Sequence, residues 1–222
     1  MSCCSPSSYG RVFSERWARL DARRYRVQGL DPAGRRIVRH LSGRGLEGRT
    51  VLEVGGGIGA LGIELLEAGA ERVVNVELST GYERTARRLL ERRDLLGRVE
   101  RLLGDIAATP DLAPAADIVV LHRVVCCYPD ADGLVAAAAE RAGHALVLSF
   151  PRDSWWNRLG FRALDLALAT FSGGFRTFVR PAEEVLRAAL ARGFVTELDE
   201  SAAMWRVTAL RRGAPGAVAS TA

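Results

Sequence analysis

The sequence predicts an α/β protein: a doubly wound parallel sheet with an N-terminal helical cap and an antiparallel hairpin at its end. Three observations predict it. Between residues 50 and 150, short apolar strands alternate with helical stretches, which is the βαβ rhythm of a parallel sheet. A glycine-rich turn, Gly55-Gly56-Gly57-Ile58-Gly59, joins the first strand to the first helix behind it. Two apolar segments near the end, 194–198 and 204–210, are joined by a connection short enough for antiparallel pairing.

Tyr9, Phe13, Trp17 and Leu20 recur at helical spacing, so 9–28 reads as one amphipathic helix. Asp31-Pro32 is an N-cap followed by a proline at the first helical position, opening a helix to about Leu41. Thr50 to Val54 is the first strand, and 58–68 is a helix that ends at Gly69. Val73 to Glu77 is the second strand, and Ser79 caps a helix to about Arg93. Val99–Leu103 and Asp117–Leu121 are the third and fourth strands, the latter apolar as a strand covered on both faces should be. An Ala-rich helix over 131–142 leads to a fifth strand, Ala145 to Phe150. Residues 153–171 read as a helix closed by Gly173-Gly174, and Pro181 at the first helical position opens another to about 192, closed by Gly193. This divides the chain into a helical lid segment (1–49), a main domain (50–210) with a helical insertion (151–180), and a flexible tail (211–222).

Composition narrows the chemistry. The chain has 222 residues and no lysine, so all 31 of its basic residues are Arg. That excludes a lysine Schiff base, a lysine general base and a P-loop of the GxxxxGK[ST] form. Residues 1–49 hold 11 Arg against 4 acids, so the basic character sits in the N-terminal segment and the rest is close to neutral. Such a segment suits a solvated face, a membrane surface or an anionic ligand, and is a weak argument for nucleic acid. The four cysteines form two adjacent pairs, Cys3-Cys4 and Cys126-Cys127, without CxxC spacing, so no metal site is expected. No apolar run reaches the ~18 residues of a membrane span, and the N-terminus has no signal-peptide core. The expected compartment is the cytoplasm.

The glycine turn bears the function. Gly55, Gly57 and Gly59 let the backbone turn sharply and approach a ligand, and the helix behind them offers free N–H groups. Glu53 lies two residues before the first glycine; a carboxylate there opposes a pyrophosphate and suits an ammonium. Glu77, followed by Leu78, ends the second strand, where a carboxylate can grip both ribose hydroxyls. Asp105 follows the third strand, placed to accept from an adenine amino group, with Ile106 to pack on the ring. Leu121 and His122 end the fourth strand. Together these residues resemble the class I S-adenosylmethionine-dependent methyltransferases: Glu53-x-Gly55-x-Gly57-x-Gly59 is the family's glycine motif, with Gly56 inside it. The resemblance covers about residues 50–210. It implies a Rossmann-like sheet of seven strands, S-adenosyl-L-methionine as cofactor, and binding of it by Glu53, Gly55, Gly56, Gly57, Gly59, Glu77, Leu78, Asp105, Ile106, Leu121 and His122.

A weaker resemblance is to the magnesium-protoporphyrin O-methyltransferases. It rests on Arg16-Trp17, on Val124-Val125-Cys126-Cys127-Tyr128-Pro129, on Leu148 to Arg152 and on Arg206 to Leu210. That family's pattern places a His before the Tyr-Pro pair, where this chain has Cys127.

Seven of the 15 aromatic residues fall within 150–178, beside the expected acceptor site. With the N-terminal helix they form a lid for a flat or apolar acceptor, or a helix meeting a membrane surface. The residues expected to meet the acceptor are Tyr9, Phe13, Trp17, Arg23, Tyr25, Cys127, Tyr128, Trp155 and Trp156. His122 is the candidate general base; His40 and His144 read as structural. The expected activity is O- or N-methylation of a small molecule that is apolar or anionic, a tetrapyrrole carboxylate among the candidates. An NAD-dependent oxidoreductase keeps the glycines and Glu77 but gives no reason for Glu53. A non-catalytic cofactor-binding module of the same fold is the other reading.

Overall fold

The computed structural model describes residues 6–109, 111–169 and 175–213. Seven strands form one sheet: β1 (Thr50–Val54), β2 (Arg72–Glu77), β3 (Val99–Leu103), β4 (Ala116–His122), β5 (Ala142–Pro151), β6 (Phe194–Ala202) and β7 (Trp205–Arg212). The strand order is β3-β2-β1-β4-β5-β7-β6, parallel from β3 to β5, with β7 antiparallel to both β5 and β6. The order reverses between β1 and β4, and the crevice at their carboxyl ends is where an open α/β sheet binds its ligand.

Among the described residues eight α-helices surround the sheet: α1 (Pro6–Val12), α2 (Glu15–Gln28), α3 (Pro32–Ser42), α4 (Ala60–Glu67), α5 (Glu83–Arg92), α6 (Ala131–Arg141), α7 (Trp155–Leu168) and α8 (Ala182–Leu190). Alternate strand residues face opposite sides. Val51, Val73, Val120, Val147 and Val207 join a core with α2, α3, α4 and α5. Leu52, Val74, Val119, Leu146 and Leu210 join another with α6 and α8. Both faces are thus covered, which is why the central strands are apolar throughout. Among the described residues no helix is long and apolar enough to cross a membrane.

The structure departs from the sequence expectation in four places. The helix expected over 9–28 is two helices, broken at Phe13-Ser14. Ser79 Oγ donates to the Phe13 carbonyl at 2.6 Å, and Ser14 adopts the extended conformation of an N-cap. Ser79 itself caps a 3-10 turn, Thr80–Tyr82, and α5 starts only at Glu83. Pro181 is the N-cap of α8 and not its first residue, because its ψ of 146° is extended. The hairpin strands are longer than their apolar stretches, since β6 continues through the exposed Asp199 and Glu200 on the sheet edge. The expected helix end at Gly173-Gly174, the start of the chain and most of the expected tail lie outside the described residues. His40 and His144 contact Glu197 and Asp117 at 3.5 and 3.3 Å, in keeping with structural roles.

Candidate active site

The turn after β1 is bare backbone packed on both sides. Gly55 and Gly57 have φ of +67° and +53°. A Cβ on Gly55 would stand 2.5 Å from the Val124 side chain, and one on Gly56 would stand 1.7 Å from Asn75 Nδ2. Only glycine fits at either place. Gly59, at φ +77°, turns the chain into α4 and touches neither cavity of the site.

Beneath the turn lies a buried polar network. Asn75 Nδ2 donates to Glu53 Oε2 at 2.8 Å, and Arg101 donates to Asn75 Oδ1 and to the Gly57 carbonyl at 2.9 Å each. Arg101 also pairs with Glu83 at 2.6 Å. Burial pushes the Glu53 carboxyl up to about 7, against the pull of Asn75 and Arg101. The register places Glu53 opposite Asn75, and Asn75 opposite Arg101, on three adjacent strands. Glu53 therefore holds the turn from below, a role its position alone did not reveal.

Two cavities flank the turn and share Phe13, Gly55, Gly57, Tyr82, Arg123 and Cys127 as walls. The smaller, about 130 Å³, lies over the ends of β2 and β3 among Glu77, Leu78, Asp105, Ile106, Val124 and Tyr128. Glu77 accepts from the N–H groups of Gly57, Leu78 and Ser79 at 2.8 to 2.9 Å. Three of its four lone pairs are thereby used, so in this conformation it has room for one ribose hydroxyl rather than the two expected. Its burial raises the carboxyl above its ordinary value despite those bonds. Tyr128 donates to Asp105 at 2.8 Å.

The larger cavity, about 650 Å³, is walled by Trp17, Tyr25, Trp156, Phe161, Phe175 and Trp205, with Asp21, Arg24, Asp31, Glu53, His122 and Arg123 among its polar groups. His122 Nδ1 meets Ser149 Oγ at 2.8 Å and its Nε2 lies 3.4 Å from Asp31. Burial alone would raise the Asp31 carboxyl, but its hydrogen bond to His122, the His122 and Arg123 charges and the Gly34 N–H together hold it well below the usual carboxylate range.

Residues 51–144 match the family model of the methyltransferase domain. The chain has the Rossmann-like fold of the class I S-adenosylmethionine-dependent methyltransferases. Solved structures of the same fold include the magnesium protoporphyrin IX methyltransferase ChlM from Synechocystis PCC 6803 with bound SAH (TM-score 0.66, 22% identity, 81% of each chain). They also include the pyocyanin biosynthetic protein PhzM (TM-score 0.61, 25% identity, 82% of this chain and 55% of that one). A third is human N-acetylserotonin methyltransferase in complex with SAM (TM-score 0.63, 16% identity, 90% and 56%). No curated protein sequence matches the chain.

The smaller cavity fits S-adenosylmethionine, the cofactor seen in the solved structures of this fold. Its glycine turn leaves space that side chains would fill, its two strand-end carboxylates suit hydroxyl and amino donors, and Ile106, Leu78 and Val124 give a flat base apolar walls. Gly55, Gly57, Glu77, Leu78, Asp105 and Ile106 could hold it there, with Gly56 and His122 on the adjoining wall. Leu121 does not join them, because it is fully buried in the core beneath α6.

On the acceptor side the structure brings together Phe13, Trp17, Tyr25, Cys127 and Trp156, while Tyr9 and Tyr128 close the smaller cavity. Two expected residues point elsewhere. Arg23 and Trp155 are exposed away from both cavities, Trp155 at 76%. Their neighbours Arg24 and Trp156 take those places, since one helical residue turns a side chain by about 100°. Tyr82, Asp31, Asn75, Arg101 and Arg123 were missed. Asn75 carried a signal: a polar residue in the apolar run Val73-Val74-Asn75-Val76 demands a partner.

Proposed function

We propose that this methyltransferase methylates an oxygen or nitrogen of an apolar, anionic small molecule seated in the larger cavity. The observation that carries the reading is the shared wall: an acid-lined cavity and an aromatic-lined cavity meet across Gly55 and Gly57. S-adenosylmethionine, when bound, supplies an electrophilic methyl group. Approach and alignment then dominate the rate, and the residues present serve those ends. Glu77 and Asp105 orient the donor, and the network of Glu53, Asn75 and Arg101 keeps the turn fixed beneath it. Trp17, Trp156, Phe161 and Phe175 exclude water around the acceptor. Arg24 and Arg123 supply cationic groups for an acceptor carboxylate. That wall, with the likeness to the magnesium protoporphyrin IX enzyme, supports a tetrapyrrole carboxylate as one candidate acceptor.

In this reading His122 is the base, with Asp31 as its positioning residue. As a base His122 carries its hydrogen on Nδ1, donated to Ser149 Oγ, and takes the acceptor's proton on Nε2, where the Asp31 carboxylate stabilises the imidazolium that forms. The long Nε2 contact is the one that an acceptor hydroxyl can replace.

Calorimetry with S-adenosylmethionine and with NAD, followed by a mass-spectrometric search of a cell extract for products one methyl heavier, tests the reading. Binding of S-adenosylmethionine and a methylated product are expected. Tight binding of NAD alone would overturn the assignment, and cofactor binding without any product would make the chain a non-catalytic module.

A further inference from the structure

Methyl transfer as described leaves the adjacent thiols of Cys126 and Cys127 without a task. They lie in the 3-10 turn Val125–Cys127, between β4 and α6. Cys127 lines both cavities and Cys126 lines the larger one. Neither is in a disulfide, and their Sγ atoms are 3.6 Å apart.

The turn that carries them is held on several sides. Cys127 N donates to the Val124 carbonyl at 2.8 Å, and Phe178 N donates to the Cys126 carbonyl at 2.7 Å. Arg180 donates to the carbonyls of Val125 and Pro129 at 3.1 and 2.6 Å, and Tyr9 donates its hydroxyl to the Cys127 carbonyl. Two thiols fixed side by side need little further ordering to bind one ligand together. The Cys126 thiol is drawn below its ordinary value, first by the hydrogen bond with Cys127 and then by the charges of Arg123 and Arg180, against the opposing effect of burial.

The arrangement discriminates among ligands. Protein zinc sites take three or four protein ligands, and among the described residues no group of three or more His, Cys, Asp or Glu could hold a metal. A disulfide between neighbours is disfavoured, because consecutive Cα atoms are about 3.8 Å apart whereas disulfides want roughly 4.4–6.8 Å. A soft centre that is satisfied by two thiolates fits both facts. We propose that Cys126 and Cys127 form a dithiol site for trivalent arsenicals at the junction of the two cavities. An organoarsenic(III) oxide reacts with both thiols: its As–O bonding is lost, two As–S bonds form, and the two thiol hydrogens leave with the oxygen as water. Arsenic stays trivalent, so no oxidant or reductant is needed.

The test uses the full chain carrying Cys3→Ser and Cys4→Ser, which removes the other adjacent pair, and phenylarsine oxide as probe in the absence of S-adenosylmethionine. One equivalent should protect both remaining thiols from a thiol reagent, and a dithiol, but not a monothiol at the same concentration, should reverse it. Adding Cys127→Ala should weaken binding by at least about a hundredfold, the loss expected when a chelate becomes a single bond. Two thiols still titratable after one equivalent, or equal affinity in the Cys127→Ala protein, would overturn the proposal. The thiol count needs no change in the turn itself, so a folding defect cannot imitate it. Because no methyl transfer is measured, failure here leaves the proposed activity standing.

Discussion

Asn75 donates its side-chain amide to the carboxyl of Glu53 at 2.8 Å, directly beneath Gly56. Both residues are buried, Glu53 at 2% exposure. Burial keeps the Glu53 proton on until about pH 7 in the folded chain, against a reference of 4.5. The folded state therefore holds a proton that the unfolded state has lost across that window. Stability is fully present below pH 4.5 and falls as pH rises toward and through about 7. At about 1.4 kcal/mol per unit the loss is about 3 kcal/mol. Glu53→Gln, which resembles the protonated form, should flatten this slope in urea denaturation measured across the window. An unchanged slope would mean that Glu53 ionises freely in the fold.

Gly56→Ala should be the most damaging single methyl in the site. Its Cβ would overlap Asn75 Nδ2 at 1.7 Å and crowd Glu53 Oε2 at 2.7 Å. Asn75 is fully buried and held by Arg101, so it has nowhere to move. Overpacking of this kind costs about 1–3 kcal/mol and shifts the turn. Thermal denaturation should show the destabilisation, and calorimetry should show cofactor affinity reduced more than in Gly97→Ala, a glycine with open space around its Cβ.

What was legible in the sequence follows from which forces are local. Alternation, glycine spacing and the strand-end acids are patterns along the chain, and they located β1 to β5, the hairpin and the cavity walls at Glu77 and Asp105. The break at Phe13 was not legible, because the group that takes its carbonyl hydrogen bond is Ser79, 66 residues away. The Glu53–Asn75–Arg101 network was hidden for the same reason: its members meet only through the register of three strands. The choice of Arg24 over Arg23 depends on the rotation of α2 about its axis, which is set by Ala18, Ala22 and Tyr25 packing inward.

Tyr128→Phe should tighten cofactor binding. The Tyr128 hydroxyl donates to Asp105 at 2.8 Å, and Asp105 Oδ1 accepts from Ala107 N at 2.9 Å. An adenine amino group arriving at Asp105 competes with the phenol for the same carboxylate. A hydrogen bond to a charged group contributes about 1.5 kcal/mol or more, so removing the competitor should lower the dissociation constant by up to about tenfold. Weaker binding in the variant would show that the phenol serves the bound cofactor and does not compete with it.

Asp31→Asn separates the structural duty of this residue from its duty toward His122. Asp31 Oδ1 accepts from Gly34 N at 2.7 Å and so caps α3, and asparagine caps a helix about as well. The same carboxylate faces His122 Nε2 at 3.4 Å and Arg123 at 3.3 Å, and the variant loses its charge at both. Because that carboxyl is held below its ordinary value of 3.8, it stabilises the fold above that pH, and this contribution fades as the solution is acidified further. The variant should thus lose less stability on acidification than the parent while α3 stays formed. Turnover should suffer more: a neutral amide no longer stabilises the imidazolium formed when His122 takes a proton, and positioned base catalysis accounts for about 10²–10⁴ in rate. We expect kcat to fall at least about tenfold with KM nearly unchanged, measured once an acceptor is in hand. A variant with unaltered kcat would remove His122 from proton transfer and leave approach and alignment as the domain's whole contribution.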